Sequence, residues 1–261
     1  MVSTWLKEYK MLKPAVFERF YQTGQLEYLE FSVNNKRHRD PKEGPAVERF
    51  YDNGQVEYRE FWVNGKLHRE NDPATEWFYE NGQLWRHQFR VDGKRHRDLS
   101  EGPALESFYE NGQVKCQEFW VDGKLYRDHR VGPAIEWFYE NGQLRSRTFI
   151  VERKSHQDSE ESHTTEIFYK DGQLQRRSVW LNAKLHRDPA EGPAFEHFYN
   201  NGQLKRREFY MHGVLHRDPQ DGPAYESFYR NGELRSSSFW VDGKKLSAKQ
   251  KSMQHHSNKD T

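Results

Sequence analysis

Cysteine is almost absent from this chain: Cys116 stands alone among 261 residues. A single thiol excludes an internal disulfide framework and suits a reducing compartment. Long apolar runs are absent too. No stretch of 18 hydrophobic residues and no basic-then-apolar leader occurs, so the sequence offers neither a spanning helix nor a signal peptide. No excess of one charge exists, because 41 basic residues meet 40 acidic ones, interspersed, for a net charge of +1. That balance lacks the basic face of a nucleic-acid binder. These absences lead us to expect a soluble, cytoplasmic chain that is not secreted and has no nucleic-acid partner. Hydrophobic residues make up 34% against 31% charged, a composition that alone would fit a weakly packed chain.

The aromatic residues reverse that reading. Phe, Tyr and Trp form 15% of the chain and recur at fixed phase. Phe-Tyr pairs begin at Phe20, Phe50, Phe78, Phe108, Phe138, Phe168, Phe198 and Phe228, 30 residues apart except for one interval of 28. Such self-similarity is the signature of a repeat array, whose units bury their apolar faces on one another. One repeat, Pro45–Gly65, reads PAVERFYDNGQVEYREFWVNG and is followed by KLHRE and a polar connector. Alternating apolar and polar residues around two Asn-Gly dipeptides predict two strands, about Ala46–Asp52 and Gln55–Val63. A type I′ turn at Asn53-Gly54 joins them, and a short third arm returns from a second turn at Asn64-Gly65.

A two-residue first turn sets the register: Asp52 faces Gln55, Tyr51 faces Val56, Phe50 faces Glu57 and Glu48 faces Arg59. Every repeat has a Glu at this position (Glu18, Glu48, Glu76, Glu106, Glu136, Glu166, Glu196, Glu226). Its expected partners are Leu29, Arg59, His87, Gln117, Arg147, Arg177, Arg207 and Ser237. Opposite charges facing across a ladder make this column a register device. Alternation places Ala46, Glu48, Phe50, Arg59, Phe61 and Val63 on one face and Val47, Tyr51, Val56 and Trp62 on the other. Both faces carry large apolar groups, so the sheet must curl, self-associate or cover a face with its connectors. The Trp62 position holds Trp in every second repeat, alternating with residues such as Arg90. The sixth repeat has VERKSHQDSEESHTTE, without the second turn glycine and the Pro, which predicts a looser or bulged junction between Val151 and Thr165.

HRD triplets occur at His38, His96, His186 and His216. By letters they match a kinase catalytic loop, but no Gly-rich loop, strand lysine or DFG accompanies them. Their repeat phase marks them as architecture, with the histidines expected to pack beside Phe61-type residues. We find no phosphate loop, nucleophile elbow or metal-ligand motif, and expect no enzyme activity, no cofactor and no metal.

The phrases YENGQL and FWVDGKLHRD resemble the MORN (membrane occupation and recognition nexus) repeat family, carried here by Tyr79-Glu80-Asn81-Gly82, Asp92-Gly93-Lys94-Arg95-His96 and their copies. The connector RDxxEGPA is longer than the family's usual join and resembles a divergent subtype of large DNA viruses and some bacteria. The resemblance implies an all-β fold: an elongated, twisted antiparallel sheet of stacked hairpins. It also implies scaffolding, self-association or attachment to phospholipid. We expect a cap, helical in character, at residues 1–13, eight repeats over 14–246 and a polar tail at 247–261. The expected function is a structural scaffold that binds a protein partner, or itself, through an aromatic surface of Tyr51, Trp62, Trp77, Trp120, Trp137 and Trp180. Two alternatives are a regulator of a partner enzyme or toxin, and a membrane module contacting anionic phospholipid through Arg176, Arg177, Lys205, Arg206 and Arg207.

Overall fold

The computed structural model describes residues 14–154 and 159–247, with side chains outside 152–161. The cap expected at 1–13 and nearly all of the expected tail lie outside the described residues. The described residues form strands and turns and no helix, as the hairpin pattern requires.

The chain divides into two compact bodies, Met1–Tyr126 with Glu140–Gly142, and Arg127–Tyr139 with Gln143–Thr261. In the first, main strands follow chain order, each antiparallel to the next: Ala15–Phe20, Leu26–Val33, Val47–Phe50, Val56–Glu60, Thr75–Phe78, Leu84–Gln88, Leu105–Phe108 and Val114–Glu118. The second body repeats the meander over Ile135–Phe138, Leu144–Lys154, Ser159–Phe168, Leu174–Leu181, Phe195–Phe198, Leu204–Glu208, Tyr225–Phe228 and Leu234–Ser238. Short hairpins such as Trp62–Val63 with Lys66–Leu67 follow the second main strand. A regular repeat is therefore two main strands plus a short hairpin, as the third arm implied.

The two Asn-Gly turns of a repeat differ. At the second, Asn64 (φ 52°) and Gly65 (φ 78°) are both left-handed and Val63 faces Lys66, the expected type I′ geometry. At the first, Gly54 is left-handed at φ 84° and Asn53 is not. The Asn53 Oδ1 accepts the Gln55 N–H at 2.9 Å, and the Tyr51 N–H donates to the Gln55 carbonyl at 2.8 Å. This is a longer turn closed by a glycine bulge, so Phe50 faces Val56 and not Glu57, a correction to the expected register. Beyond the bulge all eight Glu positions meet their expected partners, Glu48 opposite Arg59 among them. Glu57 also emerges beside Arg49, with their charged groups 3.0 Å apart, on the face that carries Tyr58.

One short hairpin breaks the turn chemistry. Asn182 and Ala183 both sit at positive φ, Ala183 at 60°, where a Cβ costs about 1–2 kcal/mol. Ala183→Gly is expected to stabilise the protein by roughly 1 kcal/mol, after the glycine's greater unfolded freedom is deducted. A rise in the urea midpoint at unchanged slope would show it.

The core is narrow and columnar. Ala46, Ala74, Ala104, Ala134, Ala194 and Ala224 are at most 1% exposed, and Phe61, Phe89, Phe119 and Phe209 at most 8%. The alanines are small because the next connector crosses there. The Arg69 guanidinium lies 4.0 Å over the Phe61 ring and donates to the Pro73 carbonyl at 3.4 Å. Connector arms thus cover the Phe face, one of the three outcomes the two-faced pattern allowed. In the sixth repeat part of the junction expected to be looser, residues 155–158, lies outside the described residues, and no bulge interrupts the described pairings on either side of it. The ladder runs unbroken from Ser146↔Ile167 to Lys154↔Ser159. With the second turn glycine gone, the short hairpin is replaced by extension of both main strands. The last main strand described, Leu234–Ser238, presents Ser236, Ser237 and Ser238.

Candidate functional site

The residues that look most like chemistry hold the repeats together. The Nδ1 atoms of His38, His68 and His96 accept backbone N–H groups of Asn64, Asp92 and Asp122, at 3.1 to 3.2 Å, from the short-hairpin turn of the following repeat. His186 and His216 do the same for His212 and Asp242. The His216 Nδ1 also lies 2.9 Å from the Asp242 carboxylate, a contact whose donor depends on the ring tautomer. The arginines of three triplets stack on phenylalanine, Arg39 4.0 Å over Phe31, Arg97 3.9 Å over Phe89 and Arg217 3.9 Å over Phe209, while beside Arg187 that position is held by Val179. The aspartate closes the connector turn, Asp98 Oδ1 accepting the Ser100 N–H at 2.8 Å. The expectation that histidine packs on the phenylalanines is thus corrected: arginine takes that place, because its planar cation suits a ring face.

Two further columns are committed the same way. In six Phe-Tyr pairs the hydroxyl reaches the next repeat. Tyr51 donates to the Phe78 carbonyl at 2.8 Å and Tyr169 to that of Phe198 at 2.9 Å. The Glu column links repeats more than hairpins, since Arg59 donates to Glu76 at 2.6 Å although it also faces Glu48. Glu166, with 8% of its side chain exposed, accepts from Arg147 at 2.6 Å and Arg177 at 2.9 Å. Burial pushes the Glu166 carboxyl up, and those hydrogen bonds outweigh it, so its pKa falls below the ordinary value. Cys116 is 1% exposed, and burial pushes its thiol up to about 12, which leaves it unreactive.

The opposite face, that of Trp62 and Tyr58, varies. Trp62 donates from Nε1 to Glu60 at 2.8 Å beneath the Arg37 guanidinium at 5.4 Å, and Trp120 repeats this with Glu118 and Arg95. Trp77 lies 6.1 Å from Trp85. In the second body Trp180 stacks on His163, with centroids 5.9 Å apart, and Trp137 is 38% exposed.

Five segments, residues 46–64, 74–91, 104–122, 135–150 and 194–212, match the MORN repeat variant family. Each segment opens on a first main strand; four of them run on into the second turn or its edge, and that of 135–150 ends on the second main strand. The chain is a MORN repeat protein. No curated protein matches it. Among solved structures, the crystal structure of TcdB2-TccC3-TEV aligns over 94% of this chain and 14% of that one, at 12% identity and a TM-score of 0.17.

On this MORN array the expected aromatic surface does not form one patch. Tyr51 is an inter-repeat tie, Trp62 and Trp120 are capped by arginines, and Trp180 is covered by His163. Trp137 remains the outward member; Trp77 lies half-buried beneath Arg86 at 5.4 Å and beside Trp85, an addition that the sequence reading missed. Its signal was available, since Trp85 interrupts a column otherwise filled by residues such as Glu57, Lys115 and Lys205. The basic candidates split by face. Arg177 donates to Glu166 and Glu196, and Arg207 pairs with Glu226, on the covered side. Arg176, His197 and Arg206 are aligned across neighbouring strands on the Trp face, with Lys205 beside them. Burial, then Lys205, Arg206 and Arg176, push the His197 pKa down. Among the described residues no helix is long and apolar enough to cross a membrane.

Proposed function

We propose that this protein is a non-enzymatic interaction scaffold that holds a partner protein against the Trp face. The observation that carries the reading is the contrast between two sets of positions. Glu, Tyr and the His-Arg pair recur from repeat to repeat, making the same ties. The position of Arg49 on the Trp face instead changes with nearly every step, as Trp77, Ser107, Trp137, Ile167 and His197. A fixed frame presenting variable aromatic and charged groups is the arrangement repeat proteins use for recognition. The depression described beside Trp120 is shallow and open, unlike the deep cleft that small-molecule chemistry favours.

Binding of a purified partner, first captured by affinity with the full chain, tests this. Trp77→Ala with Trp137→Ala is expected to weaken the complex at least tenfold, about 1.4 kcal/mol or more, while Glu48→Gln on the covered face leaves it unchanged. A complex indifferent to both tryptophans would overturn the reading. The row of Arg176, Lys205 and Arg206 favours a second reading, attachment to an anionic membrane. Salt-sensitive co-sedimentation with phosphatidylserine vesicles, lost on Arg176→Ser with Arg206→Ser, would support that instead.

A further inference from the structure

Short hairpins in this array pair an aromatic residue with leucine. Trp62 faces Leu67, Trp120 faces Leu125, Trp180 faces Leu185 and Tyr210 faces Leu215. Three other hairpins depart: Ser32 faces Arg37, Trp240 faces Lys245, and Arg90 faces Arg95, a like-charged pair directly across the ladder. Like charges in such a pair repel, and a residue choice that works against its own fold marks a site with another purpose.

The surroundings offer a carboxylate to one member only, Arg95, which lies 3.5 Å from Glu118. The Arg90 guanidinium donates only to neutral acceptors, the Gln88 Oε1 at 3.0 and 3.1 Å and the Gly93 carbonyl at 2.8 Å. Arg86 lies on the same face, and its Nε is buried without a hydrogen-bond partner. Among the described residues no carboxylate forms an ion pair with Arg86 or Arg90. Glu118 is engaged by Trp120 at 2.8 Å and by Arg95 at 3.5 Å, while Glu60 is taken by Trp62 and Arg37. Burial first, and then Arg95, lower the pKa of both Arg86 and Arg90, the direction expected where buried cations crowd one another. Between the two hairpins lies an open depression of roughly 240 Å³, lined by Arg90, Gly93, Lys94, Arg95, Trp120 and Gly123. Gly123 lets the Lys94 chain pack against its backbone, a Cβ there falling 3.6 Å from the lysine, and Lys94 stands exposed at the rim.

We propose that this depression in the first body binds a doubly charged oxyanion, a phosphate group, gripped by Arg90 and Arg95 with Lys94 closing the rim. Guanidinium forks match phosphate oxygens with paired, charge-assisted hydrogen bonds, and a dianion cancels the repulsion that the hairpin otherwise carries. The group could arrive as free phosphate or as the phosphoryl group of a partner; the chemistry at the pocket is shared.

The neighbouring repeats supply the test. Arg90→Trp installs the residue that two repeats of the same body carry, and a tryptophan there can donate to Gln88 as Trp62 does to Glu60, so the fold is retained. Melting temperatures of the full chain are read with inorganic phosphate, at an ionic strength matched with chloride. At tenfold excess over Kd the wild type is expected to gain about 2–4 °C. Arg90→Trp is expected to melt higher without phosphate and to gain nothing from it, and Arg95→Leu to lose the gain as well. A phosphoserine peptide with neutral flanks forms the second arm. Arg90-dependent binding of either probe supports the pocket and identifies the source. An equal phosphate gain in wild type and Arg90→Trp, or no binding of either probe, would overturn it.

Discussion

Phe61→Ala is expected to remove about 3–5 kcal/mol, the range for truncating a buried aromatic core residue. The ring is 4% exposed, it is flanked by the close-packed alanine column, and the Arg69 guanidinium lies 4.0 Å over it. Truncation would empty that slot and leave a half-buried cation without its ring face, while the backbone ties from Phe61 to Ala74 and His68 stay available. The backbone can hold its course, so the cavity cannot collapse fully, which favours the upper part of the range. Phe17→Ala is the matched control. Phe17 is 57% exposed on the first strand, and its loss should stay within about 0.5 kcal/mol. Urea unfolding followed by tryptophan fluorescence reads both. Because repeats bind mainly their neighbours, Phe61→Ala is also expected to broaden the transition as its own repeats open ahead of the others. A loss below 1 kcal/mol would mean that the Phe column is not what holds this array together.

Much of this architecture was legible because its information is periodic. Strand order, the short hairpin and all eight Glu pairings follow from turn spacing and alternation, and the bulge at Gly54 does not disturb them. Its extra residue brings the ladder back to the register that a two-residue turn would have given, so Glu48 meets Arg59 by either route. What the letters could not display is where a side chain bonds across the array. The His38 tie lies 26 residues ahead at Asn64, and the Tyr51 tie 27 ahead at Phe78. Repetition shows that such residues matter to the frame, but not which atom each one reaches. Hence Tyr51 was placed on a binding surface, and the histidines were set against rings that the arginines occupy. The sixth repeat differs for another reason. Glycine at the second turn serves to turn the chain. Without it, the alternating residues around Phe149, Val151, Thr164 and Ile167 prolong the ladder. The Arg90–Arg95 pair was half visible, as an arginine in a tryptophan column; its meaning required the hairpin register that sets the two cations face to face.

Two glutamates of one column are expected to behave oppositely, which tests whether the ladder links repeats or merely sets hairpin register. Glu166 accepts from two arginines whose side chains are 38% and 39% exposed. Glu166→Gln should cost about 2–3 kcal/mol, below the penalty for a fully buried pair because those arginines keep part of their water. Glu48 faces Arg59, but Arg59 donates to Glu76 at 2.6 Å, and burial pushes the Glu48 pKa up. Glu48→Gln should therefore be neutral or slightly stabilising at pH 7. The pH dependence follows with opposite signs. The folded-state pKa of Glu166 is depressed, so its contribution is complete above the unfolded carboxyl value of about 4.3 and is lost as pH falls through the lower folded value. That of Glu48 is raised, so its ionisation opposes folding at neutral pH, and the penalty fades as pH falls through the folded value. In urea midpoints measured from pH 7 to pH 3, Glu166→Gln should flatten the acid limb and Glu48→Gln should steepen it. Equal costs for the two at pH 7 would mean that the column acts within each hairpin, and that neighbouring repeats are joined by their backbone and tyrosine ties alone.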